Sequence, residues 1–183
     1  GDPPSLRKAL GFYEQAVALD PGFAQAWARV SYANSLLYTN SIPTPALAES
    51  ARQAAEKAVS LAPNRQEGYL ALANYERVIA TDFNRALEQY EKGLRVAPGN
   101  ANLLTGTALA ERSLGRWDAS VEHFRQAERL DPRSVETMRR LGQSLIYLRR
   151  YPDAREALDR GLAVAPATAR RRLFEARHAT CRR

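Results

Sequence analysis

The stretch Trp117 to Pro132, WDASVEHFRQAERLDP, opens on an aromatic residue, runs at helical spacing and stops at Leu-Asp-Pro. Four other stretches share that form: LRKALGFYEQAVALDP ending at Pro21, AESARQAAEKAVSLAP at Pro63, DFNRALEQYEKGLRVAP at Pro98 and YPDAREALDRGLAVAP at Pro166. Those prolines stand 42, 35, 34 and 34 residues apart. A fixed period of this size marks an array of stacked units, each burying its apolar face only against its neighbours. Each proline ends a helix because it has no N–H to continue the hydrogen-bond ladder.

On a 34-residue frame ending two residues after each proline, residue size repeats more faithfully than residue chemistry. Position 8 holds Ser31, Ala73, Ala108 and Gly142; position 20 holds Ala9, Ala51, Ala86, Ser120 and Ala154; position 27 holds Ala16, Ala58, Gly93, Ala127 and Gly161. Bulky residues recur at position 4 (Trp27, Tyr69, Leu104, Met138), position 17 (Phe83, Trp117, Tyr151) and position 24 (Tyr13, Tyr90, Phe124, Leu158). Two helices approach closely only where one presents small side chains, and bulky residues fill the space on either side. Size alternation therefore predicts helix hairpins. Gly115, in SLGRW, is suited to the left-handed conformation that ends the first helix of one of them.

The pattern resembles the tetratricopeptide repeat (TPR) family, which places a large residue at position 4, Leu-Gly/Ala at 7 and 8, Gly-x-Tyr at 15 to 17, Ala at 20 and 27, an aromatic at 24 and Pro at 32. The match is best over Leu104–Pro132 and Met138–Pro166, through Leu114 to Trp117 (LGRW) and Leu141-Gly142. Thr107 departs from the family's leucine, the second repeat carries one extra residue near Ala80, and the first carries about eight, in LLYTNSIPTPALAES. The resemblance implies an all-α, right-handed superhelical solenoid of antiparallel helix hairpins with about ten helices. It divides the array into an unpaired second helix at 5–21, a first repeat at 23–63 with a lengthened loop, repeats at 67–98, 101–132 and 135–166, and a capping helix at 167–183. The first of these helices lacks the partner that Ala9, Tyr13 and Ala16 are patterned to receive, so the array is expected to continue upstream in a larger bacterial protein or to be closed by another chain.

Composition narrows the functions. No run approaches the ~18 apolar residues of a membrane span, and the opening residues do not resemble a signal peptide. A cytoplasmic location is expected, with the periplasm left open because the chain begins Gly-Asp. The single cysteine, Cys181, forms no internal disulfide and no metal cluster. The net charge of +7 is uneven: residues 1–91 carry 8 Lys/Arg against 10 Asp/Glu, and residues 92–183 carry 19 against 10. His123 and His178 lie in different helices, no phosphate loop, zinc spacing or nucleophile motif is present, and His123 reads as a solvated or packed histidine. Carboxylates such as Glu122, Glu128 and Asp153 read as members of solvated faces without functional pairing. No enzyme activity, cofactor or metal is expected.

By the resemblance, first helices line a concave groove. The positions carried over are Tyr32 in the first repeat; Asn74 and Arg77 in the second; Asn102, Thr105, Leu109 and Arg112 in the third; and Arg139, Arg140, Gln143 and Tyr147 in the fourth. Asparagine holds extended peptide backbone and arginine offers a planar fork to carboxylate, so an acidic protein or peptide partner is expected. The family's clamp for chaperone C-termini is disfavoured: repeats two to four offer Leu70, Asn74, Gly106, Glu136 and Arg140, of which two of five are kept and one is reversed in charge. A protein–protein interaction or scaffolding module is the leading reading, with the sensory or docking segment of a bacterial signalling protein as its finer form. Self-assembly through the N-terminal face is the alternative. Nucleic-acid binding through the basic half ranks below both, because lysines are scarce and no aromatics stand at regular spacing along the groove.

Overall fold

The computed structural model describes residues 2–166 and Arg177, and the capping helix expected at 167–183 lies outside the described residues. Among those described there are nine α-helices and no strand: α1 (Pro3–Leu19), α2 (Ala24–Asn40), α3 (Pro45–Leu61), α4 (Gln66–Tyr75), a π-helical turn (Glu76–Ala80), α5 (Phe83–Val96), α6 (Ala101–Ser113), α7 (Trp117–Leu130), α8 (Val135–Tyr147) and α9 (Tyr151–Val164). They form two compact units, divided between Pro98 and Gly99. In the first unit α1 packs on α2, and the pairs α2–α3 and α4–α5 form hairpins; in the second the hairpins are α6–α7 and α8–α9.

Helix starts follow side-chain chemistry. Asp2, Thr44, Asp82, Asn100 and Ser134 accept hydrogen bonds from the first-turn backbone N–H groups of α1, α3, α5, α6 and α8, and Pro3 and Pro45 occupy first turns where no N–H is needed. Three hairpins turn through one left-handed residue each: Thr81 (φ 55°), Gly115 (φ 74°) and Arg149 (φ 59°). Only the glycine announces itself in the sequence. Threonine and arginine take the same conformation because the turn demands it, at a cost of about 1 kcal/mol each.

The extra residue of the second repeat is accommodated by the π turn. A π turn bonds i to i+5 and so holds one residue more than an α turn. Asp82 N–H then closes on the Glu76 carbonyl at 2.9 Å, and α5 resumes in register with Ala86, Tyr90 and Gly93 buried.

The small positions are where the helices meet. Ala51, Ala55, Ala73, Ala86, Ala108, Ser120 and Ala154 are each 0% exposed. Ser120 keeps its hydroxyl satisfied by donating to the Ala108 carbonyl at 2.7 Å across its hairpin. α3 and α4 approach closely at Gly68, where a Cβ would stand 2.7 Å from the backbone nitrogen of Val59. Position 4 also carries a bond that residue size does not announce. Trp27 Nε1 donates to the Pro21 carbonyl and Tyr69 Oη to the Pro63 carbonyl, both at 2.9 Å, so each ring ties a helix to the proline that ended the one before.

The unpaired face expected on α1 is partly used. Leu10, Tyr13 and Ala16 pack with Trp27 against the buried cluster of Val17, Ala26, Val30 and Ala54, and Ala9 is half-buried. The apolar stripe of α1 is wide enough that residues patterned for a preceding helix also cover the following hairpin.

Candidate functional site

In the first unit, Tyr32 on α2 is 46% exposed. Asn74 on α4 and Arg77 in the π turn are half-buried and joined by a residue from α5. Tyr90, 0% exposed, donates its hydroxyl to Asn74 Oδ1 at 2.8 Å and accepts from Arg77 Nε at 3.1 Å. Arg77 Nη2 also approaches Asn74 Oδ1, at 3.4 Å. A buried phenol needs a partner, and the pairing fixes the Asn74 amide with its oxygen inward and its NH2 away from the ring. Arg77 forms no ion pair among the described residues, so its charge is oriented by neutral groups. Asn74 and Arg77 together offer hydrogen-bond donors to an incoming acceptor.

The second unit arranges the same register differently. Asn102 is exposed and Thr105 half-buried on α6. Leu109, at the position of Asn74, is 7% exposed and belongs to the core with Val121, Phe124, Leu141 and Leu145, so it offers little surface. Arg112 and Gln143 are half-buried. Arg139 and Arg140 converge on Glu136, at 2.7 and 2.6 Å. Burial pushes the Glu136 carboxyl up, but the hydrogen bond from Arg139 and the charges of both arginines outweigh it and hold it below the ordinary carboxylate value. Two of the predicted cations thus share one acid, which offsets one of their two charges. Tyr147 is 71% exposed and lies against Trp117, ring centroids 5.0 Å apart and planes tilted by 32°. Such a pair contributes about 0.5–1.5 kcal/mol beyond its buried area, and it holds an exposed ring in place.

His123 is packed, the second of its two expected settings. Its Nδ1 lies 2.8 Å from Oε2 of Glu111, which is 7% exposed, and that hydrogen bond raises the imidazole above its ordinary value against the opposing effect of burial. No group of three His, Cys, Asp or Glu able to hold a metal occurs among the described residues. The carboxylates read as members of solvated faces take part in ion pairs. Glu128 takes both donors of Arg160, 32 residues further on, Asp153 meets Arg125 and Arg150, and Glu122 meets Arg129. Helical spacing within one segment misses such pairs because Glu128–Arg160 and Arg125–Asp153 join neighbouring hairpins. Sequence reasoning misses the role of Tyr90 for a related reason: its hydroxyl counts only once positions 9 and 12 of the preceding helix are read with position 24.

Within the described residues, no helix is long and apolar enough to cross a membrane. The tetratricopeptide repeat family model matches residues 76–135 and 139–180. A small glutamine-rich tetratricopeptide repeat-containing protein of Mycosarcoma maydis is 31% identical over 88 residues, 48% of this chain and 25% of that protein. A heat-shock protein cognate co-chaperone of Aspergillus fumigatus is 24% identical over 120 residues, 66% of this chain and 35% of that protein. This chain therefore spans about a quarter to a third of these relatives. Among solved structures, a thermophilic TPR protein of Thermus thermophilus superposes with a TM-score of 0.82 at 21% identity, over 93% of this chain and 90% of that one. YrrB, a TPR protein with an unusual peptide-binding site, gives 0.65 at 18% identity, over 96% and 84%. At such identities the likeness shows a shared fold. With more than half its length matched by the family model, and the repeat register visible in its helices, the chain belongs to the tetratricopeptide repeat family.

Proposed function

We propose that this chain is a protein–protein interaction module that holds an extended, acidic segment of a partner on its first helices, without catalysis. Membership of the TPR family supports protein binding in general, and YrrB is a structural neighbour with a peptide-binding site. The observation that carries the acidic preference is the Tyr90–Asn74–Arg77 arrangement, a half-buried guanidinium oriented without a carboxylate beside an amide presenting donors. In the second unit, taken by itself, Arg112, Arg139, Arg140, Asn102, Thr105, Gln143 and the aromatic pair at Tyr147 are a separate set of candidate contacts. Tyr32 extends the surface on α2. The array serves as the docking segment of a larger bacterial signalling protein.

The test is selection from a random dodecapeptide phage library on the intact chain and on Arg77→Glu/Arg139→Glu. A class of peptides rich in Asp and Glu should be enriched on the intact chain and lost on the variant, whose helicity by circular dichroism should be unchanged. If no class of acidic peptides is lost on the variant, the assignment of the site is overturned.

A further inference from the structure

The eight or so residues added to the first repeat build a surface that the groove does not use. α2 and α3 each run for 17 residues, against 13 and 14 for α6 and α7. Their added turns and the loop between them face the first turns of α1 across a cleft of about 680 Å³ lined by Pro3, Arg7, Leu37, Ile42 and Leu47 with three polar residues. Its size is that of a ligand cleft. Leu37 is 2% exposed, while Ile42 stands 81% exposed.

Three features set this cleft apart from a tolerated insertion. The loop is stiff: Pro43 restricts Ile42 to extended backbone, Pro45 opens α3, and Thr44 Oγ1 accepts the Leu47 N–H at 3.2 Å. An isoleucine is therefore held out to solvent on a constrained backbone, which lowers the entropy lost on contact. The polar groups beside it are already engaged, since Ser41 Oγ donates to the Leu37 carbonyl at 2.6 Å and Asn40 Nδ2 to the Leu36 carbonyl at 2.9 Å. The one cation lining the cleft, Arg7, makes no ion pair among the described residues, whereas Arg52 on α3 is claimed by Glu49 and Glu56.

We infer that this cleft is a second docking site, taking a peptide segment in which a bulky aliphatic side chain stands next to a carboxylate. The aliphatic group packs on Ile42 and Leu47 over the buried Leu37, and the carboxylate meets the fork of Arg7. Burying an aliphatic side chain against Ile42 makes that contact responsible for about tenfold in affinity.

The same dodecapeptide library, selected on the intact chain and on Ile42→Ser/Arg7→Gln, tests the site separately from the groove. The expected result is a class of peptides pairing Leu, Ile or Val with Asp or Glu that binds the Arg77→Glu/Arg139→Glu chain undiminished. On Ile42→Ser alone a synthetic member of that class should bind about tenfold more weakly. Both altered side chains are exposed, so thermal unfolding should stay unchanged. If every enriched peptide binds the cleft variant as well as the intact chain, the inference falls while the groove reading stands. If no such peptide is enriched, and sedimentation shows a dimer that Ile42→Ser abolishes, the occupant is a second copy and the peptide assignment is wrong.

Discussion

The two hairpins α4–α5 and α6–α7 occupy the same register of the repeat and solve it with opposite chemistry. At position 24 one buries Tyr90 and the other Phe124, both 0% exposed. At position 9 the first places Asn74, which accepts the phenol, and the second places Leu109, which joins the core around the phenyl ring. At position 12 both carry arginine, but Arg77 is fastened to the tyrosine hydroxyl. One buried oxygen thus decides whether the position above it faces outward as a polar group or closes inward as an apolar one. The choice of core ring and the choice of surface are a single choice.

The most damaging way to break this comparison is to give the second hairpin the ring of the first. Phe124→Tyr buries a hydroxyl beside Leu109 and should cost about 2–3 kcal/mol. Adding Leu109→Asn should recover a large part of that, measured by chemical unfolding; strict additivity of the two changes would sever the link between positions 9 and 24. The reverse exchange, Tyr90→Phe, removes the donor to Asn74 and should cost about 1 kcal/mol while loosening Arg77. Nitrogen NMR relaxation of the Arg77 side chain should report greater mobility, and an unchanged side chain would show that the π turn alone positions it.

Turn chemistry sharpens the comparison at a smaller scale. Gly115 takes its left-handed conformation freely, while Thr81 and Arg149 take it under strain. Arg149→Gly should therefore stabilise by about 0.5–1 kcal/mol, and Gly115→Ala should destabilise by a similar amount or more, read as opposite shifts in the unfolding midpoint. The least effect belongs to the His123–Glu111 pair, which the first unit lacks at Gln89. Because folding raises the imidazole above its unfolded value near 6.5, the stability it adds is complete below that pH and lost as pH rises through the elevated folded value. The second unit should weaken between mildly acidic and mildly alkaline pH, by less than about 1 kcal/mol, and Glu111→Gln should flatten the slope seen by hydrogen exchange.

Fold and site are legible in the sequence to different depths. Proline phasing and the recurring small residues predict each hairpin, because close helix packing is a matter of volume at fixed positions, and volume is written in single residues. Pairings are illegible wherever they join different segments. Glu128 and Arg160 look solvated until α7 and α9 are side by side, whereas Glu136 meets Arg139 and Arg140 within α8, three and four residues on, at a spacing the sequence itself displays. Leu109 reads as surface from its repeat position alone, though the phenyl ring at position 24 has already claimed it. The left-handed Thr81 and Arg149 carry no mark, since neither residue favours that conformation and only the hairpin requires it.

The π turn at Glu76–Ala80 bears on how such an array changes over generations. One added residue inside an ordinary helix rotates the remainder of that helix by about 100°, which would shift the point from which the chain turns into α5. Here the surplus is discharged within one widened turn, before α5 begins. A gene encoding this array therefore has a place where a single codon can be gained without rewriting its neighbours, and the residue that rides on that place is Arg77. A substitution elsewhere changes what the array presents, whereas an insertion here changes where it is presented.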